Sequence, residues 1–309
     1  MAQQTVLVVA GPTASGKSAL ALELAARRRG TVINADAMQT YDAFPILTAQ
    51  PTAEERARVP HALYGVLPLS EILSAARWSA LAAVEMERCL SSTGRLPILC
   101  GGSGLYLRTL MQGIAAVPDV PAAIRARANR EWQAMGAEAF RARLAERDRA
   151  IVERLKPGDR QRHVRAWEVL IATGQPLSHW QGRIGKPAPW KFLTVLLCPE
   201  RAWLRRRIAG RFDAMLEAGV VAEARAVFDR APDPGWPGLK AHGAPELFRH
   251  FRGELSLAEA RQIGIDHTRQ YAKRQMTWFR HQMTPDIVLS PEGKLHLDEL
   301  EKFFDKIGV

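Results

Sequence analysis

The sequence contains few cysteines, and no two of them form a short paired motif. Cys89, Cys100 and Cys198 are the only ones among its 309 residues. Their spacing excludes a disulfide framework and a zinc knuckle. Because isolated thiols are typical of a reducing compartment, we expect a cytoplasmic protein.

The sequence also lacks an apolar run that could span a membrane. Its first apolar run, residues 5–10, is far shorter than the roughly 20 residues of a spanning helix, and no basic leader precedes it. We therefore expect no membrane partner. Because 47% of the residues are apolar and 24% are charged, the composition is that of a globular protein with a sizeable core.

Acidic residues are too few to balance the basic ones. The chain has 43 Lys and Arg against 32 Asp and Glu, which gives a net charge of +11. Residues 201–212 contain five arginines and no acid, and residues 268–280 contain four basic residues and no acid. A basic surplus can simply keep a surface solvated, but this clustering favours contacts with the phosphates of an anionic partner.

Apolar, β-branched runs alternate with helical segments in the first hundred residues. Residues 5–10, 31–36 and 95–102 are typical of buried strands, whereas residues 18–29 and 75–90 have helical spacing. This alternation predicts a parallel α/β sheet.

One segment between the first strand and the first helix has a specific chemistry. Gly11–Ser18, GPTASGKS, matches the phosphate-loop pattern G-x-x-x-x-G-K-[ST] in full. Its backbone N–H groups, the positive end of the following helix and Lys17 would bind a polyphosphate, and the Ser18 hydroxyl can hold Mg²⁺. Because such a loop recognises phosphates rather than a base, ATP is only its default ligand.

The chain changes character near residue 117. Residues 121–180 are rich in alanine, arginine and glutamate and are predicted to be wholly helical, and a strand pattern returns at 191–200. We therefore predict a P-loop NTPase-like α/β core, residues 1–116 and 191–309, with an inserted all-helical domain at 117–190. After residue 200 we expect helices at 201–230, 244–251 and 256–282 and then a short tail.

An acid is missing where many ATPases have one. The third strand ends in Gly101-Gly102, whereas Asp36 follows the second strand, which we expect to lie beside the first. Because parallel strands open on one crevice at their carboxyl ends, Asp36, Ser103 and the phosphate loop should converge. Asp36 could be a general base, an outer-shell magnesium group or an ordinary turn acid.

Seven segments in a fixed order resemble the tRNA dimethylallyltransferase family, also called tRNA isopentenyltransferases. The resemblance covers nearly the whole chain, whereas small-molecule kinases share only the first segment. The segments are GPTASGKS at 11–18, INADAMQTY at 33–41, VPHALYG at 59–65, GRLPILCGGSGLYL at 94–107, DRQRHVRAWEVL at 159–170, RIAGRFDAMLEAG at 207–219 and TRQYAKRQMTWFR at 268–280.

The resemblance implies a reaction and a set of site residues. The phosphate loop would hold the diphosphate of dimethylallyl diphosphate with Mg²⁺, and the acceptor would be the exocyclic amine of the adenosine 3′ of the tRNA anticodon. Asp36 matches the family's catalytic aspartate, and Ser103 stands where the family has a catalytic threonine. The residues implied to bind the diphosphate are Gly11, Thr13, Ala14, Ser15, Gly16, Lys17, Ser18, Arg207 and Arg211.

The same resemblance implies contacts with tRNA from several segments. The two substrates would be the protein's partners, and we expect a monomer. The residues implied to contact tRNA are Asp36, Ala37, Met38, Gln39, Ser103, Arg125, Gln161, Arg162, His163, Val164, Arg165, Arg269, Lys273 and Arg274. Helical spacing predicts that Tyr271, Trp278 and Phe279 are packing residues rather than base-stacking platforms.

Three positions depart from the family's pattern. Ala37 replaces the serine after the aspartate, and Ala62 replaces the second of two histidines after Val-Pro. The family's G-Y-[KR]-E reads Gly243-Ala244-Pro245-Glu246. These changes affect fine contacts with the nucleotide and leave the phosphate loop and Asp36 intact.

Two other functions share part of the pattern. An NTP-dependent kinase would use the same phosphate loop and would bind and turn over ATP. A nonenzymatic RNA-binding protein would keep the basic helices but would tolerate replacement of Asp36 and Ser103.

Overall fold

The computed structural model describes residues 4–115, 117–182, 185, 187–292 and 297–306. Met1–Met111 and Pro189–Val309 form one compact unit, and Gln112–Ala188 form a second. None of the helices in the described ranges is long and apolar enough to cross a membrane.

The larger unit is built on a six-stranded sheet in which all neighbouring strands are parallel, with the order β3-β2-β4-β1-β5-β6. The inner strands are mostly apolar and largely buried, as expected where helices cover both faces. The predicted parallel α/β fold is thus confirmed. The strands are β1 (Thr5–Ala10), β2 (Gly30–Asn34), β3 (His61–Ala62), β4 (Leu96–Gly101), β5 (Lys191–Leu197) and β6 (Ile287–Leu289).

Helices and short turns connect and cover these strands. The predicted helix at 201–230 is in fact two helices that meet at Gly219. The helices of the larger unit are α1 (Lys17–Arg27), α2 (Pro45–Thr48), α3 (Ala53–Arg58), α4 (Ala75–Glu87), α5 (Gly104–Gln112), α10 (Arg201–Glu217), α11 (Val220–Phe228), α12 (Ala244–Phe251), α13 (Leu257–Gln282) and α14 (Leu297–Lys306), with 3₁₀ turns at Met38–Thr40 and Pro237–Lys240 and a π turn at Arg88–Thr93.

Residues 283–292 and 297–306, which were expected to be part of a short tail, contain a further strand and a further helix. The strand is β6, which pairs with β5, and the helix is α14, whose Leu300 and Phe304 are buried in the core beneath α1. Arg28 at the end of α1 forms ion pairs with Glu301 and Asp305. The expectation of a tail was wrong because a three-residue strand and a ten-residue helix are both shorter than the stretch over which a periodic pattern shows.

The described residues of the smaller unit form helices around an apolar core of their own, and the first of these helices is kinked at Gly136, where φ is 73°. Residues 121–180 were predicted to be wholly helical, but capped turns interrupt them: Asp148 and Asp159 accept hydrogen bonds from the N–H groups of Ile151 and Arg162. Phe140, Leu144 and Trp167 lie in the core. The helices are α6 (Ala122–Ala145), α7 (Arg149–Arg154), α8 (Arg160–Thr173) and α9 (Leu177–Gln181).

One close approach of two strand ends sets the geometry of the sheet's carboxyl edge. The chain after β2 passes directly over Gly101 at the end of β4, and an ideal Cβ on Gly101 would lie 2.1 Å from the carbonyl carbon and oxygen of Ala35. The Ala35 N–H donates to Cys100 O, and the Ser103 N–H donates to Ala35 O. Only glycine permits this crossing.

Replacing Gly101 with alanine is expected to destabilise the larger unit by about 1–3 kcal/mol or more, because neighbouring backbone would have to move. Gly210→Ala is the matched control: Gly210 lies within α10 with no atom within 4 Å of its would-be Cβ, so alanine there should stabilise by about 0.5–1 kcal/mol. Urea unfolding of both variants measures the difference. Equal behaviour would contradict the steric argument.

Candidate functional site

The phosphate loop, Gly11–Ser18, is a backbone concavity at the carboxyl end of β1. Ala14 and Gly16 both have left-handed backbone angles, with φ of 62° and 89°. Alternation of left- and right-handed residues turns successive N–H groups toward one point, which is an anion-binding nest. Within the described chain, no protein acceptor pairs with the N–H groups of Ala14, Gly16 or Lys17. The positive end of α1 points at the same place.

Two of the loop's other amide groups already have protein partners. The Thr13 N–H donates to Gln275 Oε1 at 2.9 Å, and the Ser15 N–H donates to Pro12 O at 3.3 Å. The Ser15 hydroxyl is fully buried under the loop. The N–H groups of Thr13 and Ser15, both predicted as diphosphate ligands, are therefore used within the protein in this structure, whereas Thr13 also lines the cavity described below.

Lys17 lies at the base of the nest, 7% exposed, and its Nζ donates to Pro12 O at 3.2 Å. Burial lowers the pKa of Lys17, and the Asp36 carboxylate opposes that shift. Cys100, at the end of β4, lies beside this ammonium group, and burial raises the pKa of its thiol to about 11. The thiol is therefore neutral, and no carboxylate of the described residues forms an ion pair with Lys17.

Asp36 reaches this region although its strand is not where the sequence placed it. β4 lies between β1 and β2, so the expectation that β2 is the neighbour of β1 was wrong. The turn at 35–37 crosses over Gly101 and so carries Asp36 back toward the loop. Asp36 Oδ1 accepts from the Met38 N–H at 3.0 Å, and the buried Asn34 amide donates to Asp36 O at 2.9 Å.

Ser103 supports the same turn through a hydrogen bond to its backbone. Its Oγ accepts from the Ala37 N–H at 2.9 Å. The Ser103 hydroxyl also forms a hydrogen bond with the hydroxyl of Tyr271. Burial and the charge of Asp36 raise the pKa of Tyr271, and the hydrogen bond with Ser103 acts in the opposite direction. Ser103 is absent from the described lining of the cavity, so the structure places it against the backbone that holds Asp36.

The cavity between these elements has a polar end and an apolar wall. Lys17, Ser18, Asp36 and Arg211 form the polar end. Burial lowers the pKa of Arg211, Asp36 opposes that shift, and Arg211 Nη2 donates to Thr48 O at 3.2 Å. Two cations thus face one carboxylate. The apolar wall consists of Met38, Leu47, Ile208, Phe212 and Met215.

Arg207, predicted beside Arg211, lies elsewhere. It is exposed, its guanidinium lies 5.4 Å from the centre of the Trp203 ring, and it is not part of the cavity lining. One turn of α10 separates it from Arg211, so it acts on the cavity only through its charge.

The sequence did not reveal Glu223, which holds one wall of the cavity. Its two carboxylate oxygens accept from the Ile46 and Leu47 N–H groups at 2.7 and 2.9 Å, at the start of α2. Burial raises the pKa of Glu223, and these two hydrogen bonds act in the opposite direction. No motif marks Glu223, because its partners are main-chain groups about 176 residues away.

Three further residues line the cavity but were not among the predicted site residues: His242, Thr268 and Tyr271. The His242 and Tyr271 rings lie 4.7 Å apart, and burial together with the charge of Arg274 lowers the pKa of His242. Tyr271 was predicted as a packing residue, but its ring also lines the cavity. Helical spacing cannot show this, because it identifies a buried face without identifying what that face meets.

The segment 243–246, which departs from the family's sequence pattern, has a structural role. The Gly243 N–H donates to Glu246 Oε2 at 3.0 Å, and Glu246 Oε1 pairs with His267 Nδ1 at 2.7 Å. Pro245 lies in the first turn of α12, where a missing N–H costs nothing. Glu246 therefore still fixes the loop that carries His242.

The predicted tRNA-binding residues of α13 point in different directions. Arg269, paired with Asp266, and Lys273 line a second, basic cavity beside α10. Arg274 instead lies 5.7 Å from the centre of the Tyr271 ring, toward His242. Among the residues near Asp36, Gln39 is buried and donates to Thr48 O and Ala49 O, so its amide holds the cavity wall.

In the smaller unit, two predicted tRNA contacts lie in the core. His163 is fully buried with Nδ1 against Asp159 O, and Val164 packs in the apolar cluster, so neither side chain is available to tRNA in this structure. Gln161 and Arg162 are exposed, and Arg165 pairs with Glu168. Arg125 is partly buried and donates twice to Val120 O.

A strand, a loop with the phosphate-loop sequence pattern and a helix at the carboxyl edge of a parallel sheet define an α/β protein with a P-loop NTPase-like fold. The family model described as IPP transferase matches residues 39–282. The chain belongs to this family.

Relatives cover almost the whole chain. A tRNA dimethylallyltransferase from Rhodospirillum centenum is 48% identical over 98% of this chain and 96% of its own, and one from Nitrobacter hamburgensis is 51% identical over 93% and 90%. The structure of a tRNA isopentenylpyrophosphate transferase from Bacillus halodurans is 29% identical, with a TM-score of 0.70 over 99% of this chain and 96% of that one. A eukaryotic dimethylallyltransferase shares the fold, with a TM-score of 0.82 at 23% identity over 99% and 80%.

Replacing Glu223 with glutamine is expected to lower the free energy of unfolding by about 1–3 kcal/mol, because one amide N–H would face a main-chain N–H. Affinity for inorganic diphosphate should also fall, since α2 carries Leu47 and Thr48 into the cavity. Urea unfolding and titration calorimetry measure the two effects. The exposed Glu217→Gln serves as control, and identical results for both variants would remove Glu223 from the site.

Proposed function

We propose that this protein transfers the dimethylallyl group of dimethylallyl diphosphate to the exocyclic amine of the adenosine 3′ of the tRNA anticodon. The products are N6-(dimethylallyl)adenosine and diphosphate. The observation that carries the proposal is a single cavity in which Lys17 and Arg211 face Asp36 beside an apolar wall. Family membership and relatives that carry the name tRNA dimethylallyltransferase support it. Free thiols and a tRNA substrate favour a cytoplasmic location.

Stabilising the leaving diphosphate is the main electrostatic task. The adenine amine is a poor nucleophile, because its lone pair is delocalised into the ring, so the donor must be activated. Charge that builds on the departing oxygens would meet Lys17, Arg211 and the open N–H groups of the phosphate loop. Each such donor is typically worth about 10²–10³ in rate. The apolar wall would hold the five-carbon tail away from water, which would otherwise intercept a developing cation.

The polar end of the cavity also suits Mg²⁺. The Ser18 hydroxyl offers an oxygen atom, the kind of ligand that this ion prefers. The described part of the chain contains no cluster of three or more His, Cys, Asp or Glu that could hold a metal, so most ligands would come from diphosphate and water. Bound there, Mg²⁺ would neutralise charge on the diphosphate.

Asp36 would accept the proton of the amine. As the bond from the amine nitrogen to the allylic carbon forms, the bond from that carbon to the diphosphate oxygen breaks. The nitrogen then loses a proton, and Asp36 is the carboxylate on the cavity that can take it. Because Oδ1 already accepts from the Met38 N–H, the carboxylate is fixed in place before substrate binds.

Recognition of tRNA would rest on exposed basic and polar groups rather than on every predicted residue. In the smaller unit, the exposed Gln161 and Arg162 and the partly exposed Arg165 remain candidates. In the larger unit, Arg274 lies near the rings of His242 and Tyr271, at the cavity. The adenosine must leave its stack to reach such a site.

The test is to incubate the protein with unmodified tRNA and labelled dimethylallyl diphosphate, and separately with labelled ATP. Label should enter RNA only from the allylic donor and only with the loop intact, so Lys17→Ala should abolish it. Release of phosphate from ATP without RNA labelling would favour the kinase function, and tRNA binding without either reaction would favour a nonenzymatic protein.

Asp36→Asn is expected to slow the chemical step by about 10²-fold or more, with little change in donor or tRNA affinity. Asparagine keeps the acceptor for the Met38 N–H but cannot take up a proton. Single-turnover rates at saturating substrates measure this, with the exposed Asp42→Asn as control. Rescue by raised Mg²⁺ would instead assign Asp36 to the metal.

Affinity for tRNA should fall steeply with salt, whereas affinity for inorganic diphosphate should change less. A protein that neutralises several phosphates loses about 10³-fold or more in affinity between about 50 mM and 200 mM salt. Filter binding over a salt series gives the slope, and Arg162→Gln should make it shallower by about one charge. A flat dependence would exclude an interface dominated by phosphate contacts.

A further inference from the structure

Gln275 joins the two loops that carry the opposing parts of the site. It lies on α13, 5% exposed. Its Oε1 accepts from the Thr13 N–H at 2.9 Å, and its Nε2 donates to Gly102 O at 3.0 Å. Only one orientation of the amide allows both hydrogen bonds, because an N–H needs an acceptor and a carbonyl needs a donor.

The fit between α13 and the turn after β4 is close. An ideal Cβ on Gly102 would lie 2.1 Å from Gln275 Nε2, and one on Gly104 would lie 2.1 Å from Cε3 of Trp278. Gln275 and Trp278 are three residues apart and share one face of the helix. The glycines of this turn therefore let α13 reach the backbone on either side of Ser103.

The oxygen and the nitrogen of the Gln275 amide bind two loops that have different tasks in the proposed reaction. On one side, Thr13 follows Pro12, whose carbonyl accepts from Lys17 Nζ. On the other side, Gly102 precedes Ser103, whose Oγ holds the Ala37 N–H beside Asp36. One side chain thus connects the loop for the leaving group with the turn that carries the proton acceptor.

We infer that Gln275 is a positioning residue that sets the distance between the diphosphate loop and Asp36. The inference rests on the proposed transfer reaction. Gln275 does not line the cavity, so it would act through the two loops rather than on substrate. A displacement of about 1 Å between reacting groups can cost about 10²-fold in rate, so a link of this kind affects the chemical step.

The first test compares Gln275→Met, which keeps the length of the side chain and removes both hydrogen bonds, with Gln282→Met. Gln282 is exposed on the same helix, where it accepts from Arg108, and lies outside the site. Single-turnover transfer at saturating donor and tRNA should fall about 10–10²-fold for Gln275→Met and stay unchanged for Gln282→Met. Affinity for tRNA should be the same in both variants.

Gln275→Glu separates positioning from packing. An ionised glutamate still accepts from the Thr13 N–H but repels Gly102 O, whereas a protonated one donates to it. Burial raises the pKa of such a carboxyl. Transfer by this variant, relative to the parent protein, should therefore recover as the pH is lowered from about 8 to about 6, above the ordinary glutamate value of roughly 4.3. A purely structural role predicts no such recovery.

A double variant keeps the inference testable even where Gln275→Met is less stable. If Gln275 acts partly through Ser103, the rate losses of Gln275→Met and Ser103→Ala should be less than additive. Full transfer by Gln275→Met with only a lowered melting temperature, or fully additive losses together with a flat pH profile for Gln275→Glu, would overturn the inference alone. No transfer by the parent protein would overturn the proposed function, and this inference with it.

Discussion

The backbone of Ala35 occupies the space that a side chain on residue 101 would need, and the geometry of the site depends on this crossing. Because β4 separates β2 from β1, a chain that simply continued from β2 would carry Asp36 away from the phosphate loop. The missing Cβ of Gly101 lets the turn at 35–37 lie across the end of β4 instead. Hydrogen bonds from Ala35 to Cys100 and from Ser103 to Ala35 then hold it there.

Among the described residues that line the cavity, the positive charges that this crossing brings to Asp36 outnumber the negative ones. Burial disfavours the charged forms of Lys17 and Arg211, and Asp36 stabilises both. One carboxylate between two buried cations leaves positive charge uncompensated, and the open N–H groups of the phosphate loop add to it. A bound diphosphate would supply the missing negative charge. The same cations and N–H groups would also stabilise the charge that develops on the diphosphate as it leaves.

Helix α13 links this electrostatic centre to its surroundings. One face carries Tyr271, Gln275 and Trp278, which meet the cavity, the phosphate loop and the glycine turn in succession. Another face presents Arg269 and Lys273 to the second, basic cavity. Since a helix is rigid over this length, the position of the loops and the direction of the basic side chains are set together.

The sequence alone determined the parallel α/β fold, four of the six strands and the phosphate loop, because each depends on contiguous residues whose spacing is visible locally. It also singled out Lys17, Ser18, Asp36 and Arg211, which the structure brings to one cavity. Only the tertiary structure placed β4 between β1 and β2, buried His163 and Val164, and assigned the Thr13 N–H to Gln275, 262 residues away. A hydrogen-bond partner or a burial site supplied by a distant segment leaves no local pattern, so packing alone decided those contacts.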